Sequence, residues 1–277
     1  MPRKIVTVDV FAENKYAGNQ LAVVLDADGL TTEEMQAITL EMNYSETTFV
    51  VSKSNNRAGV RIFTLGSELP FAGHPTIGTA WVLRGDSKSF TLALQAGDVL
   101  VEFDEQTGIC WMTPPKAELC EEVAASIAAE LAGLSVEDLV ATMPSQVVNI
   151  GPCFLLIPVK DLATLKRARL NLESLDSFQS ERHPEVGLFL FSPEAYSDDA
   201  DFSARMLFSD AGLREDPATG SANTGFATYL HMHSGKAVQC IVEQGFEIGR
   251  PSRIYVDADA TIRIGGKVIQ VLQGTLV

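Results

Sequence analysis

The feature that most constrains this fold is a weak internal repeat. Gly18-Asn19-Gln20-Leu21-Ala22-Val23-Val24-Leu25, with Asp28, lies over Gly151-Pro152-Cys153-Phe154-Leu155-Leu156-Ile157-Pro158, with Asp161, without a gap. Farther on, Arg61-Ile62-Phe63, a loop, Ala72-Gly73-His74-Pro75 and a helix keep the order of Arg205-Met206-Leu207-Phe208, a loop, Ala218-Thr219-Gly220-Ser221 and a helix. A unit written twice predicts two similar halves, with two similar helix starts against one central cleft.

Strand-like and helix-like segments alternate along the chain. Ile5 to Val10 is β-branched and alternating, Leu21 to Leu25 is apolar, and Thr47 to Val51 and Gly59 to Thr64 read as further strands. Thr31-Thr32-Glu33-Glu34 opens a helix with Met35, Ile38 and Met42 at helical spacing. A loop from Leu65 to Gly73 leads into a helix over Pro75 to Leu83, and Thr113-Pro114-Pro115 reads as a boundary. Beyond it the spacing predicts an amphipathic helix over Glu121 to Leu131, strands over Val147 to Ile150, Phe154 to Pro158, Val186 to Phe191 and Asp201 to Phe208, and a helix over Ala222 to His231. Strands follow near Val238, Ile254, Ile262 and Val268, and Asp257-Ala258-Asp259 reads as a solvated turn. The expected halves are residues 1–114 and 115–267, with the last strand, about 268–277, free to return to the first.

The chain has 277 residues and a formal charge of −15. So acidic a surface repels phosphate backbones and anionic membranes, which argues against nucleic-acid and lipid-surface roles. Apolar runs such as Phe154 to Val159 are too short to span a bilayer, and the N-terminus alternates like a strand rather than like a signal peptide. Cys110, Cys120, Cys153 and Cys240 are far apart in sequence, with neither zinc spacing nor a disulfide framework. The expectation is a cytoplasmic protein with reduced, mostly buried thiols and no metal.

Three segments carry candidate chemistry. Glu46 stands at a helix-to-strand junction. It reads either as an exposed loop-end residue, the default for Glu, or as a partly desolvated carboxylate suited to proton transfer. In Phe71-Ala72-Gly73-His74-Pro75-Thr76, Pro75 fits a first helical turn and Gly73 admits a ligand to the backbone. Helix-start N–H groups bind carboxylate or phosphate, with His74 beside them as acid, base or donor; a tight turn with a bonded His is the other reading. Asp216-Pro217-Ala218-Thr219-Gly220-Ser221-Ala222 is again small and glycine-containing before a helix, and reads either as a site or as a turn capped by Ser221. It is neither a P-loop nor a dinucleotide loop. His231 and His233 are two apart and do not share a helix face, so a metal pair there is not expected.

Taken together these segments resemble the PhzF-like family of phenazine biosynthesis. The resemblance rests on Asp9-Val10-Phe11 with Gly18-Asn19, Glu41 through Val50, Glu68-Leu69-Pro70-Phe71-Ala72-Gly73-His74-Pro75-Thr76, Glu215 through Ala222, and Gln244-Gly245 to Ser252. It implies an α+β, diaminopimelate epimerase-like fold: two pseudo-symmetric halves, each a sheet wrapped around a central helix. Related epimerases use a cysteine pair as acid and base, and those positions appear here as Ala72 and Ala218. The resemblance instead implies one proton-shuttling glutamate, Glu46, with His74 and Asp216 as companions. Gly73, Gly220, Ser221, Thr219 and Asn19 become the substrate-binding candidates. The expected activity is a cofactor-independent isomerisation of a small carboxylate, in a protein whose relatives often form homodimers. A non-catalytic small-molecule-binding protein of the same fold and an amino-acid epimerase or racemase are the alternatives.

Overall fold

A computed structural model describes residues 2–181, 186–209, 213–259 and 261–277. The chain forms two compact units, Met1–Pro114 with Arg263–Val277, and Pro115–Ile262. The return to the first unit thus begins at Arg263, ahead of the last strand.

The first unit opens with β1 (Arg3–Val10), β2 (Asn19–Val24), α1 (Thr32–Met42), β3 (Glu46–Lys53), β4 (Arg57–Thr64) and the short β5 (Glu68–Leu69). It continues through α2 (Gly73–Leu83), β6 (Ser89–Leu94), β7 (Gly97–Phe103) and β8 (Cys110–Met112). The second unit holds β9 (Glu118–Val123), α3 (Ala125–Leu131), β10 (Ser145–Asn149), β11 (Cys153–Pro158), α4 (Leu162–Arg167) and α5 (Leu172–Glu181). Then come β12 (Gly187–Ser192), β13 (Phe202–Ser209), β14 (Leu213–Asp216), α6 (Gly220–Ser234), β15 (Val238–Gln244) and β16 (Ser252–Ala258). β17 (Ile262–Gly266) and β18 (Val268–Leu276) end the chain in the first unit.

Neighbouring strands of the first unit run β18-β1-β2-β3-β4-β6-β7-β8-β17, parallel at β2–β3 and β4–β6 and antiparallel elsewhere, with β5 added to β4. Its two ends, β17 and β18, are joined through Lys267, so the sheet curls round. Inside it α2 packs on strands from β1 to β8 and on β18, which is why nearly every residue of that helix is buried. A helix surrounded by sheet must be apolar or small all round. α1 covers the outer face, where Met35 packs on Ile5, Ala22, Val24, Phe49 and Phe63. Leu21 sits instead against Gly78 of α2, so alternate residues of one strand serve two layers.

The second unit repeats the order: β9-β10-β11-β12-β13-β15-β16, parallel at β11–β12 and β13–β15, with β14 on β13. α6 is its enclosed helix, and α3, α4 and α5 cover the other face over Val147, Leu155 and Ile157. Registers fix the equivalence residue by residue. Leu21 pairs with Glu46 as Phe154 pairs with Gly187, and Phe63 pairs with Glu68 as Leu207 pairs with Glu215. Arg61 holds Glu68 and Arg205 holds Glu215, each through two guanidinium nitrogens. Gly78 and Gly225 occupy the same turn of the two central helices. A Cβ on Gly78 would lie 2.6 Å from Leu21 Cδ2, and one on Gly225 2.5 Å from Val148 Cγ2.

Two expected elements differ. Glu118–Val123 is a strand, and only Ala125–Leu131 is helical, because Leu119 pairs with Val148 and Glu122 with Gln146. Ladder pairing overrides the helix preference of the glutamates. Asp257 and Ala258 belong to β16, paired with Gln239 and Val238, and Ala258 is buried; the pair is no solvated turn. No helix among the described residues is long and apolar enough to cross a membrane.

Candidate active site

The two enclosed helices begin differently from α1 and α4. α1 starts at a Thr31–Glu34 capping box and α4 at Asp161, whose Oδ1 accepts the Thr164 N–H at 2.7 Å. α2 follows Ala72 and α6 follows Thr219, and neither has a side-chain cap hydrogen bond. At each of these starts the first N–H groups, with the positive end of the helix dipole, are suited to a carboxylate. Gly73 and Gly220 are the first residues of these helices.

In the first unit Glu46, His74 and Asn19 come together. Glu46 opens β3 opposite Leu21 and Thr64. His74 is the second residue of α2, with Nε2 3.5 Å from Glu46 Oε2 and Nδ1 3.2 Å from the Asn19 side-chain nitrogen. Asn19 is buried, and the side chains of His74 and Glu46 are 4% and 15% exposed. Burial pushes the imidazole down to about 3, against the opposing effect of a hydrogen bond to the Gln20 backbone. At neutral pH His74 is therefore an uncharged donor or acceptor beside the carboxylate, not a cation paired with it. The ring is thus held at Nδ1 by Asn19, whereas Nε2, facing Glu46, has no hydrogen-bond partner among the described residues.

In the second unit Asp216 ends β14, and its Oδ2 accepts the Thr219 hydroxyl at 2.5 Å. Thr219 precedes Gly220 and Ser221, and Ser221 is buried in the first turn of α6. The caps align Ala72 with Thr219, Gly73 with Gly220 and His74 with Ser221. The expected match of Ala72 with Ala218 is thus one residue off. Hydrogen bonds agree with the corrected register. Thr76 Oγ1 donates to Ala72 O at 2.7 Å, and Asn223 Nδ2 to Thr219 O at 2.9 Å.

Sequence reasoning missed Gln244 as an individual residue. Its side chain bonds Asp216, Thr219 and Asn223 from the far end of β15. Its only sequence signal was its place in the Gln244-Gly245 segment. The cysteines lie in strands, not at the helix starts, and burial pushes Cys110 and Cys240 up to about 12. Thiols so placed are poor proton acceptors. Among the described residues no group of three or more His, Cys, Asp or Glu is arranged to hold a metal ion.

Comparison with known proteins agrees with this architecture. The family model described as phenazine biosynthesis-like protein matches residues 8–274. Trans-2,3-dihydro-3-hydroxyanthranilate isomerase of Pseudomonas chlororaphis is 32% identical over 98% of both chains, and an uncharacterised isomerase of Mesorhizobium japonicum is 34% identical over 99% of this chain and 98% of its own. A PhzF-family protein of Bacillus anthracis superposes with a TM-score of 0.88 at 29% identity, covering 100% of this chain and 99% of the other. A hydroxyproline epimerase of Agrobacterium vitis shares the fold alone, with a TM-score of 0.65 at 13% identity over 99% of this chain and 92% of its own. The two repeated units and their enclosed helices thus form a diaminopimelate epimerase-like fold, and the chain belongs to the phenazine biosynthesis-like (PhzC-PhzF) family of isomerases.

Proposed function

We propose that the protein moves a proton within a small conjugated carboxylate, with Glu46 as the one shuttling group and no cofactor. The observation that carries this is the asymmetry of the equivalent positions. Glu46 and His74 in the first unit correspond to Gly187 and Ser221 in the second, so a proton acceptor stands at one of the two equivalent strand positions.

The step balances within the substrate. The Glu46 carboxylate takes a proton from carbon, and the electron pair enters the conjugated system. The protonated carboxyl then returns the proton to another carbon, so the double bond shifts and no atom is gained or lost. Neutral His74, its Nε2 3.5 Å from Glu46 Oε2, stands beside the carboxylate without pairing it as a cation. The substrate carboxylate is assigned to a helix start without a side-chain cap, at Gly73 in the first unit or at Gly220, beside Ser221, in the second. Asp216 and Thr219 are assigned to the substrate's polar groups. Two-base racemisation through thiols is disfavoured, because Ala72 and Thr219 stand at the helix caps where that chemistry wants cysteine.

The test follows solvent deuterium by NMR. Trans-2,3-dihydro-3-hydroxyanthranilate, the substrate in the names of the Pseudomonas relatives, is the first compound, followed by other conjugated cyclic carboxylates and amino acids. Wild type should incorporate deuterium or move a double bond, and Glu46→Gln should not. Incorporation at the wild-type rate in Glu46→Gln would remove Glu46 from the reaction.

A further inference from the structure

Gln244 ends β15 fully buried, and every hydrogen-bonding position of its amide is occupied. Oε1 faces the Thr219 N–H at 3.2 Å and Asn223 Nδ2 at 3.5 Å; Nε2 donates to Asp216 O at 2.8 Å and to Thr219 Oγ1 at 3.0 Å. The orientation of the amide is not arbitrary. A backbone N–H only donates and a backbone carbonyl only accepts, so Oε1 must face Thr219 N and Nε2 must face Asp216 O.

A consequence follows for the Thr219 hydroxyl. Because Nε2 donates to Oγ1, the single hydroxyl proton must go elsewhere, and Asp216 Oδ2 lies 2.5 Å away. Threonine at a helix N-cap ordinarily accepts an N–H from the first turn. Here it has no such bond, and its hydroxyl is committed to Asp216.

We propose that Gln244 is a positioning residue: by donating to Thr219 it makes the threonine hydroxyl an obligate donor to Asp216, holding that carboxylate ionised and in one orientation while leaving the start of α6 uncapped. The proposal deepens the reading of Asp216 as a substrate-binding group and rests on it. The equivalent positions of the first unit lack these groups: by strand register Leu94 corresponds to Gln244 and Leu69 to Asp216, and by helix cap Ala72 corresponds to Thr219.

The test reads the carboxylate directly. In protein labelled with ¹³C-aspartate, the Asp216 side-chain carbonyl signal is assigned by its loss in Asp216→Asn and followed against pH. The charged groups on the elements that meet at Asp216 include Arg214 and Glu215 on β14, Arg205 on β13, and Glu243, Glu247 and Arg250 on or after β15; all are unchanged in the variants. Thr219→Val should raise the Asp216 midpoint by on the order of one pH unit, because a donor to the charged form is lost. Thr219→Ser should keep the wild-type midpoint.

Gln244→Met removes the donor at similar volume, and Gln244→Glu keeps the shape while turning the donor into an acceptor. In either background Thr219→Val should shift the midpoint no further, since the hydroxyl is no longer directed at Asp216. An equal Thr219→Val shift with Gln244 present or replaced would overturn the proposal, as would no shift in the wild-type background. Turnover is not read here. A failed coupling therefore leaves the Glu46 shuttle standing, and an inactive Glu46 shuttle leaves the coupling standing.

Discussion

The two units share strand order, ladder registers, an Arg–Glu pair and a glycine in the central helix, yet they differ at nearly every position proposed for the site. Asn19, Glu46 and His74 stand where the second unit has Pro152, Gly187 and Ser221. Asp216, Thr219 and Gln244 stand where the first unit has Leu69, Ala72 and Leu94. The scaffold is conserved between the copies because packing a helix inside a curled sheet has few solutions. The polar residues are free to diverge because they lie at strand and helix ends. The first copy holds a carboxylate beside a neutral imidazole, and the second holds one that accepts the Thr219 hydroxyl, whose oxygen in turn accepts from the Gln244 amide. On the proposed reading the copies divide their roles, with the base in the first and Asp216 as a binding group in the second.

The sharpest way to break that division is to remove each carboxylate in turn. Glu46→Gln should lower kcat/KM by about 10²–10⁴-fold, the usual loss when a positioned base is removed. Asp216→Asn keeps the shape and loses a charged hydrogen-bond partner, which should cost about 10–100-fold. Steady-state kinetics on the substrate found by deuterium exchange decides. A larger loss in Asp216→Asn than in Glu46→Gln would move the base to the second unit.

Much of this comparison was legible in sequence, and its gaps have physical causes. The ungapped match of Leu21 with Phe154 agrees with the registers, because long β-branched and aromatic runs leave little freedom to slip. The second match slipped by one residue, Ala72 to Ala218 rather than to Thr219. Small residues give a turn no side-chain volume to fix its register, and Glu215 follows Arg205 by 10 residues where Glu68 follows Arg61 by 7. Gln244 escaped notice because its partners at 216–223 meet it only once β13 and β15 pair. The helix expected over Glu121 to Val123 failed for a similar reason, since pairing with β10 supplied an alternative that local sequence does not reveal.

The shared Arg–Glu pair should differ in worth between the copies. Arg205 and Glu215 are 6% and 9% exposed, against 29% and 28% for Arg61 and Glu68. Arg205 Nη1 also donates to the Leu165, Lys166 and Ala168 carbonyls at the end of α4. Arg205→Met therefore strands a buried carboxylate and three carbonyls, and should cost about 3–5 kcal/mol. Arg61→Met should cost about 1 kcal/mol or less. Urea unfolding of the two variants measures both, and equal costs would show that burial does not separate the copies.

His74 adds a pH dependence that Ser221 lacks. Its folded value, about 3, lies below the ordinary 6.5. The unfolded chain therefore binds a proton that the native state refuses. The stabilisation is full above about 6.5 and is lost as pH falls toward 3, at up to about 1.4 kcal/mol per pH unit. His74→Asn removes this term, so its stability should fall less between pH 6.5 and 4 than that of wild type. Parallel stability curves for the two proteins would mean that His74 is not held neutral.

The smallest effect is expected where the copies look most alike. Gly78→Ala and Gly225→Ala each gain helix propensity of about 1 kcal/mol and each insert a methyl against a buried strand. At Gly78 the new Cβ meets Leu21, Val10 and Val8 at 2.6, 2.8 and 3.2 Å, three side chains from two strands. At Gly225 the three nearest atoms all belong to Val148, the closest at 2.5 Å. One valine can turn away, whereas three packed side chains cannot all do so, so overpacking of about 1–3 kcal/mol should outweigh the gain at Gly78 and nearly cancel it at Gly225. Urea denaturation should rank Gly78→Ala as the less stable. The reverse order would mean that the first sheet yields more readily around its helix than the second, and that their shared topology hides a difference in packing as large as the difference in chemistry.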